Sequence, residues 1–261
     1  MKQRPGFPVR LDPKAAEPVA PRVVTPQSAV RAAATRISSP TGMGLDSSAV
    51  RANMVQKLAA QGIDDAVVLE AMGRIERHRF VDSALINQAY EDTSLPIGLG
   101  QTISKPNVVA RMIALLRQAP MVVQGQPLGR VLEIGTGCGY QAAVLSLVAR
   151  EVYSIERLRG LHDKARENLR PLRLPNVHVM FGDGMIGYAK GAPYSAIIAA
   201  AGGEAIPSAW IDQLATGGRI VAPMQTASGQ QALVVIDKTP QGLQQSLLEA
   251  VHFVPLKSGI A

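Results

Sequence analysis

The sequence predicts an α/β protein with a doubly wound, mainly parallel sheet, helices on both of its faces and an antiparallel edge. From residue 130 onward, short apolar runs alternate with helical stretches, which is the pattern of parallel strand–helix–strand units. The first of these runs ends in a loop with three glycines at alternate positions. The last two runs follow each other without a helix between them, which predicts antiparallel strands.

The chain is expected to comprise a disordered, basic tail over residues 1–45 and a single domain over residues 46–261 that begins with a helical cap. Seven of the eighteen prolines fall in the tail, which has few large apolar residues, so burial cannot offset the entropy cost of ordering it. Ser47 or Ser48 is predicted to cap the first helix, which ends at Gly62.

Asp64 is predicted to cap the second helix, and a third helix should begin at Pro106 after a long loop over residues 77–104. The inward residues are expected to be Val67, Val68, Ala71, Met72 and Ile75 in the second helix and Val108, Val109, Met112, Ile113 and Leu116 in the third. The later strands are predicted at residues 130–134, 151–155, 177–180, 196–199, 219–221, 233–237 and 248–253. Further helical stretches are expected near residues 140–149, 157–170, 184–189 and 207–214.

Charge and composition exclude several classes of function. Residues 1–45 hold seven basic and two acidic residues, so the rest of the chain carries only +2 of the net charge of +7. Because the basic residues form no dense block, no nucleic-acid partner is expected.

No apolar run is long enough to cross a membrane, and no apolar segment follows the charged N-terminus as in a secretory signal. The single cysteine and the four scattered histidines predict no disulfide and no metal site, and a cytoplasmic monomer is expected.

The glycine loop, residues 131–139, has the spacing G-x-G-x-G, with Glu133 two residues before Gly135. Gly135 and Gly137 let backbone approach a ligand where a Cβ would clash. A dinucleotide fingerprint has G-x-G-x-x-G, and an acidic residue here would repel a pyrophosphate. The pattern instead suits a cofactor with a cationic amino group, such as the methionyl part of S-adenosylmethionine. The alternative is a tight turn with no ligand.

Two further strand ends carry acidic residues, and the carboxyl ends of parallel strands are where ligands bind in such sheets. Glu156 can accept hydrogen bonds from ribose hydroxyls, or can simply pair with a neighbouring arginine on the surface. Asp183, flanked by Gly182 and Gly184, can accept from the exocyclic amine of adenine, or can cap a helix. Together with the glycine loop, these residues predict a nucleoside site.

The loop before the third helix places polar side chains at Gln101, Thr102 and Ser104, next to Pro106. Ser104 can be the N-cap of this helix. A helix N-terminus also offers free N–H groups and partial positive charge to an anion, so a carboxylate substrate can be expected there beside the cofactor.

At these residues the sequence resembles the protein-L-isoaspartate O-methyltransferase family, S-adenosylmethionine-dependent enzymes with a Rossmann-like sheet. The resemblance covers roughly residues 47–257 and is carried by Gly100-Gln-Thr-Ile-Ser-Lys-Pro106, the glycine loop and Phe253-Val-Pro-Leu256, among other segments. It implies repair of damaged proteins and peptides, by methylation of the α-carboxylate of L-isoaspartyl residues with release of S-adenosylhomocysteine.

The resemblance also implies residue roles. Ser104 would be the active-site residue, and Thr102, Ile103, Val251 and Phe253 would contact the substrate. The residues expected to bind the cofactor are Gln101, Glu133, Gly135, Thr136, Gly137, Gly139, Glu156, Asp183 and Gly184. Two positions depart from the family pattern: Cys138, where bacterial relatives often have serine, and Gly202-Gly203-Glu204, where an Ala/Pro-rich stretch is more usual.

Three other functions remain open at this point: methyl transfer to another carboxylate or hydroxyl substrate, a dinucleotide-dependent oxidoreductase, and a binding protein without catalysis. The glycine spacing disfavours the oxidoreductase. The intact acidic strand ends and the Gln101–Ser104 segment disfavour the binding protein.

Overall fold

The computed structural model describes residues 48–123 and 125–261. The predicted tail, residues 1–45, and Ser47 lie outside the described residues. The first described elements are helix α1 (Ser48–Ala60) and helix α2 (Ala66–Arg74).

The cap of α2 differs from the prediction by one residue. Asp65, and not Asp64, accepts hydrogen bonds from the backbone N–H groups of Val67 and Val68, at 2.9 and 3.1 Å. Val68, Ala71, Met72 and Ile75 form one buried stripe with the spacing i, i+3, i+4, i+7, whereas Val67 lies beside this stripe and is 38% exposed. The expectation that Val67 faces the core was therefore wrong.

The segment predicted as a loop over residues 77–104 contains regular structure. Two short 3₁₀ helices, Arg77–Phe80 and Ser83–Gln88, are followed by an antiparallel hairpin of strands β1 (Leu95–Gly98) and β2 (Gln101–Ile103). Its turn places Leu99 at φ 51°, a conformation that non-glycine residues seldom adopt. Such short strands are hard to recognise from periodicity, because only a few residues carry the pattern.

Helix α3 (Pro106–Arg117) leads into the predicted sheet, which has seven strands in the order β5-β4-β3-β6-β7-β8-β9. The strands are β3 (Leu128–Ile134), β4 (Ala149–Glu156), β5 (Val177–Phe181), β6 (Tyr194–Ala199), β7 (Leu214–Gln225), β8 (Gln231–Thr239) and β9 (Gly242–Val251). The intervening helices are α4 (Tyr140–Ser146), α5 (Arg159–Leu169) and α6 (Ser208–Gln213).

The first five strands of the sheet pair in parallel, and β7-β8 and β8-β9 pair antiparallel, which confirms the predicted fold class. Most strands extend beyond their predicted bounds: β7 begins five residues earlier and ends four residues later than predicted, and β9 begins at Gly242 rather than at residue 248. The last strand ends at Val251, opposite Gln231, rather than at Phe253. The predicted helix near residues 184–189 consists of two 3₁₀ turns, Gly184–Ile186 and Ala189–Gly191.

The core lies on both faces of the sheet. Val131 in β3 belongs to one apolar cluster and Leu132, the next residue, to the other, because successive side chains of a strand point to opposite faces. Both are completely buried, as expected for a strand that is covered on both faces of the sheet. Among the described residues, no helix is both long and apolar enough to cross a membrane.

Candidate active site

The glycine loop joins the carboxyl end of β3 to α4 with three left-handed glycines. Gly135, Gly137 and Gly139 have φ of 89°, 58° and 90°. A Cβ on Gly137 would lie 3.2 Å from Ile97 Cδ1, and one on Gly139 would lie 3.1 Å from Leu169 in α5. The first two glycines present bare backbone to a cavity, whereas Gly139 begins α4 and packs against α5.

Glu133 lies beneath this loop and is completely buried. Gln141 Nε2 donates to one carboxyl oxygen at 3.0 Å, and the Ser154 hydroxyl donates to the other. Thr136 Oγ1 extends the network, 2.6 Å from Ser154 Oγ. Burial raises the pKa of Glu133 to about 8, against the opposing effect of these hydrogen bonds. Glu133 therefore supports the loop from below, and its predicted contact with the cofactor stays a prediction.

Glu156, at the end of β4, holds the loop from the side. Its Oε2 accepts from the Gly137 N–H and its Oε1 from the Leu158 N–H, both at 2.9 Å. It also lines the cavity beside the loop, and an ionised carboxylate has further lone pairs for hydroxyl donors. Glu156 is only 4% exposed, so it does not form the surface pair with an arginine that was considered as an alternative.

Asp183, after β5, performs the capping role considered for it. Its Oδ1 accepts from the Met185 N–H at 2.8 Å, and its Oδ2 accepts from the Gly259 N–H at 2.6 Å. Gly184 lines the cavity, and a Cβ there would lie 2.5 Å from Ile134 Cγ2. The contact with Gly259 brings the last described segment to the adenine side of the predicted nucleoside site.

The cavity beside the glycine loop, called the large cavity, has a volume of about 450 Å³. The hairpin contributes Leu99, Gln101 and Thr102 to its wall. The segment after β9 forms another wall, through Val254, Pro255, Leu256 and Lys257.

Sequence reasoning missed this second wall. Three of its four residues are apolar, and all four lie about seventy positions or more from the acidic strand ends, so no local pattern connects them. The only signal was the Phe253-Val-Pro-Leu256 match to the family.

Two smaller cavities lie toward the start of α3, and neighbouring cavities share lining residues. The connecting space, about 30 Å³, lies between the glycine loop and Ser104, and Thr102, Ile103 and Thr136 also line it. The outer cavity, about 320 Å³, has Ser104 in its wall together with the predicted substrate residues Val251 and Phe253. Ser104 thus lies in the walls of both, and the predicted cofactor and substrate sides meet at it.

Ser104 is not the cap of α3, contrary to one of the two alternatives considered for it. The N-cap is Lys105, with no hydrogen bond from its side chain. Asp92 instead accepts from the Asn107 N–H at 2.8 Å. Its carboxylate therefore uses one of the free N–H groups that were expected to receive a substrate carboxylate.

Cys138 also lines the connecting space, where burial raises the pKa of its thiol. A thiol that stays protonated is a poor nucleophile, which agrees with the interpretation of Cys138 as a small filler. The described residues contain no cluster of three or more side chains suited to binding a metal ion.

Comparison with known proteins agrees with this geometry. The model of the family described as protein-L-isoaspartate(D-aspartate) O-methyltransferase matches residues 49–261. The chain belongs to this family. The match includes the hairpin, the glycine loop, both acidic strand ends and the segment after β9.

Relatives in the family are similar over nearly the whole chain. A protein-L-isoaspartate O-methyltransferase from Methylibium petroleiphilum is 59% identical over 98% of this chain and 96% of its own length. Another from Leptothrix cholodnii is 59% identical over 93% of this chain and 86% of its own length. A solved structure of a protein-L-isoaspartate O-methyltransferase has a TM-score of 0.71 at 28% identity, and the match covers 80% of this chain and 67% of that one. The predictions of family, fold and enzyme class are confirmed.

Proposed function

We propose that this chain binds S-adenosylmethionine in the large cavity and transfers its methyl group to the α-carboxylate of an L-isoaspartyl residue at Ser104. Methyl transfer to L-isoaspartyl proteins and peptides is the activity of the family, and S-adenosylmethionine is the family's cofactor. The assignment to individual cavities and residues is the proposal, and the geometry described above supports it.

The large cavity suits this cofactor. Its volume, about 450 Å³, is within the range of roughly 300–1,000 Å³ typical of small-molecule sites. The bare backbone at Gly135 and Gly137 allows close approach of the methionyl part, and Glu156 can accept from the ribose hydroxyls. Asp183 and Gly184 would lie at the adenine.

The observation that carries the proposal is the position of Ser104 between the two cavities. The connecting space has the glycine loop on one side and Ser104 on the other, and Ser104 continues into the outer cavity. A carboxylate held by the Ser104 hydroxyl would therefore face a methyl group held against the loop. Thr102 and Ile103 would shape the space around the two, and Val251 and Phe253 would cover the peptide.

The chemistry asks the protein for positioning rather than proton transfer. The cofactor supplies a methyl group that is already activated for attack. An α-carboxylate has a pKa of roughly 3.5 and is ionised at neutral pH, so it needs no general base. In agreement, no described residue that lines the connecting space is Asp, Glu or His. Alignment of reacting groups can contribute on the order of 7–11 kcal/mol.

We place the enzyme in the cytoplasm, as a monomer that acts on damaged proteins and peptides and not on nucleic acid. The single cysteine and the low net charge outside residues 1–45 support this placement. The methyl ester would cyclise to a succinimide: a backbone amide nitrogen attacks the ester carbonyl and methanol leaves, which is easier than loss of hydroxide from the free acid. Hydrolysis of the succinimide would return some normal aspartate.

Two peptides that differ only in the linkage at one aspartyl residue test the proposal. With labelled S-adenosylmethionine, the isoaspartyl peptide should take up label and its normal aspartyl twin should not. Equal labelling of both would point to a methyltransferase for another carboxylate. Labelling of neither, in a protein that binds the cofactor, would point to a different acceptor.

A further inference from the structure

We infer that Gln231 and Gly202 position the segment of residues 253–257, and through it both the large and the outer cavity; this inference rests on the proposed function of these cavities. Neither residue lines a cavity described above. Gly202 belongs to the stretch that departs from the usual family pattern. The proposed methyl transfer does not by itself explain this departure.

Gln231 continues the sheet beyond the end of its last strand. Its backbone pairs with Val251, where β9 ends. Its side chain then contacts the backbone of Phe253: Oε1 accepts from the Phe253 N–H at 2.7 Å, and Nε2 donates to the Phe253 carbonyl at 3.2 Å. A glutamine amide has the donor and the acceptor of a peptide group, so Gln231 replaces one missing rung of the β-ladder.

Gly202 holds the next residues of the segment by backbone pairing. Its N–H donates to the Val254 carbonyl at 2.9 Å, and its carbonyl accepts from the Leu256 N–H at 2.8 Å. This is a parallel bridge opposite Pro255. The segment is therefore fixed from two directions, by a side chain from β8 and by backbone after β6.

Glycine is needed at position 202 because of Gln231. A Cβ on Gly202 would lie 2.7 Å from Gln231 Nε2 and 2.9 Å from Gln231 Cδ. Both atoms are near the end of a flexible side chain, which can move away at little cost to the fold. The movement would take Gln231 off Phe253. An added methyl group should therefore release the segment rather than unfold the protein.

The released segment would affect both ligands. Phe253 lies in the wall of the outer cavity, and residues 254–257 form a wall of the large one. Binding of peptide and of cofactor should both weaken, whereas the alignment at Ser104 depends on the hairpin and on α3 and should persist once both ligands are bound.

Kinetics of three single variants and one double variant test the inference. Gln231→Ala and Gly202→Ala should each raise the KM for isoaspartyl peptide about five- to tenfold, the equivalent of one or two lost hydrogen bonds. kcat should stay within about twofold of wild type. Gln230→Ala, at the exposed neighbouring glutamine, should match wild type. The double variant Gly202→Ala/Gln231→Ala should have the same KM for isoaspartyl peptide as Gln231→Ala alone, because the added methyl group then meets no glutamine side chain.

A purely structural role would give a different result, because loss of folded enzyme lowers the maximal rate and leaves KM unchanged. That result would overturn the inference. It would also be overturned if the increases in KM caused by the two single substitutions multiplied in the double variant.

If wild-type enzyme labels no isoaspartyl peptide, the proposed function fails on its own. Hydrogen exchange at residues 253–257 and calorimetry with S-adenosylmethionine then decide: faster exchange and weaker binding in Gln231→Ala support the inference, and unchanged values refute it.

Discussion

The candidate site has a floor and a rim, and they are built differently. The floor, made by Glu133, Thr136, Ser154 and Glu156 at the ends of β3 and β4, is buried and held by side-chain hydrogen bonds on parallel strands. The rim, made by residues 99–104 and 252–257, is largely exposed or half-buried, apart from Ile103, and is held by short pairings. A rigid floor suits a cofactor that never varies. A rim that depends on few contacts suits acceptors that differ from one damaged protein to the next.

Glu133 offers the largest test of the floor. Its folded-state pKa is about 8, above the roughly 4.3 of an exposed glutamate. The folded protein thus keeps a proton that the unfolded chain releases. The free energy of unfolding should therefore fall between about pH 4.5 and 8, by up to on the order of 1.4 kcal/mol per pH unit. In Glu133→Gln, a neutral mimic, that decline should be absent in urea unfolding measured at several pH values.

The exposed Glu151, on the same sheet, gives a matched control. Glu151→Gln should retain most of the wild-type decline, because the Glu151 side chain is about two-fifths exposed rather than sealed in the interior. If the free energy of unfolding changed with pH in the same way in wild type and in Glu133→Gln, Glu133 would be ionised in the folded protein, as the sequence interpretation assumed.

Glu156 lies where the floor meets the large cavity. Glu156→Ala should weaken binding of S-adenosylmethionine by about 1.5–3 kcal/mol, because hydrogen bonds to a charged group are lost. The corresponding change in Kd, about 10- to 150-fold, is measurable by calorimetry. Glu151→Ala, on the same strand but away from the cavity, should bind normally. Unchanged affinity in a folded Glu156→Ala protein would remove Glu156 from the cofactor site.

Ser104 tests the rim. Ser104→Ala should lower kcat about tenfold, since one hydrogen bond that orients the carboxylate is lost. Cofactor affinity should not change. Because Lys105 is the cap of α3, the stability change should stay within about 0.5 kcal/mol. Ser104→Gly should behave in the same way. Wild-type turnover in both variants under saturating ligands would show that the hydroxyl has no role in catalysis.

The smallest effect is expected for residues 1–45, which belong to neither region. We expect their deletion to leave folding and methyl transfer intact, because the composition of this segment does not favour a packed structure. Circular dichroism and the labelling assay check this together. A truncated protein that folds but does not transfer methyl groups would show that the segment completes the site.

The same division explains what could be predicted from sequence. The floor follows from local patterns: an apolar run predicts β3, and its end fixes where Gly135 and Glu133 lie. Glu156 and Asp183 could be found because every parallel strand ends at the same edge of the sheet. The sequence did not reveal that Glu133 would be sealed beneath the loop by Gln141 and Ser154.

The rim depends on contacts between distant residues. Gln231 contacts Phe253 in the rim from 22 positions away, and Asp92 accepts a hydrogen bond at the start of α3, next to the rim, from 15 positions away. Neither contact has a periodic signature, since each is made by one side chain after the chain has folded. The family resemblance identified the rim segments but not what holds them.

The small volume of the connecting space has a consequence for the groups that can be transferred. The connecting space, about 30 Å³, is much smaller than the cavities next to it. We expect it to accommodate a methyl group more readily than a longer propargyl group, which would press against the glycine loop and Ser104. Cofactor analogues with longer alkyl chains should therefore bind the large cavity yet alkylate the peptide slowly, as mass spectrometry of the peptide would reveal. On the proposed assignment of the cavities, enlarging this space rather than the large cavity should give an enzyme that labels isoaspartyl sites with a chemical handle.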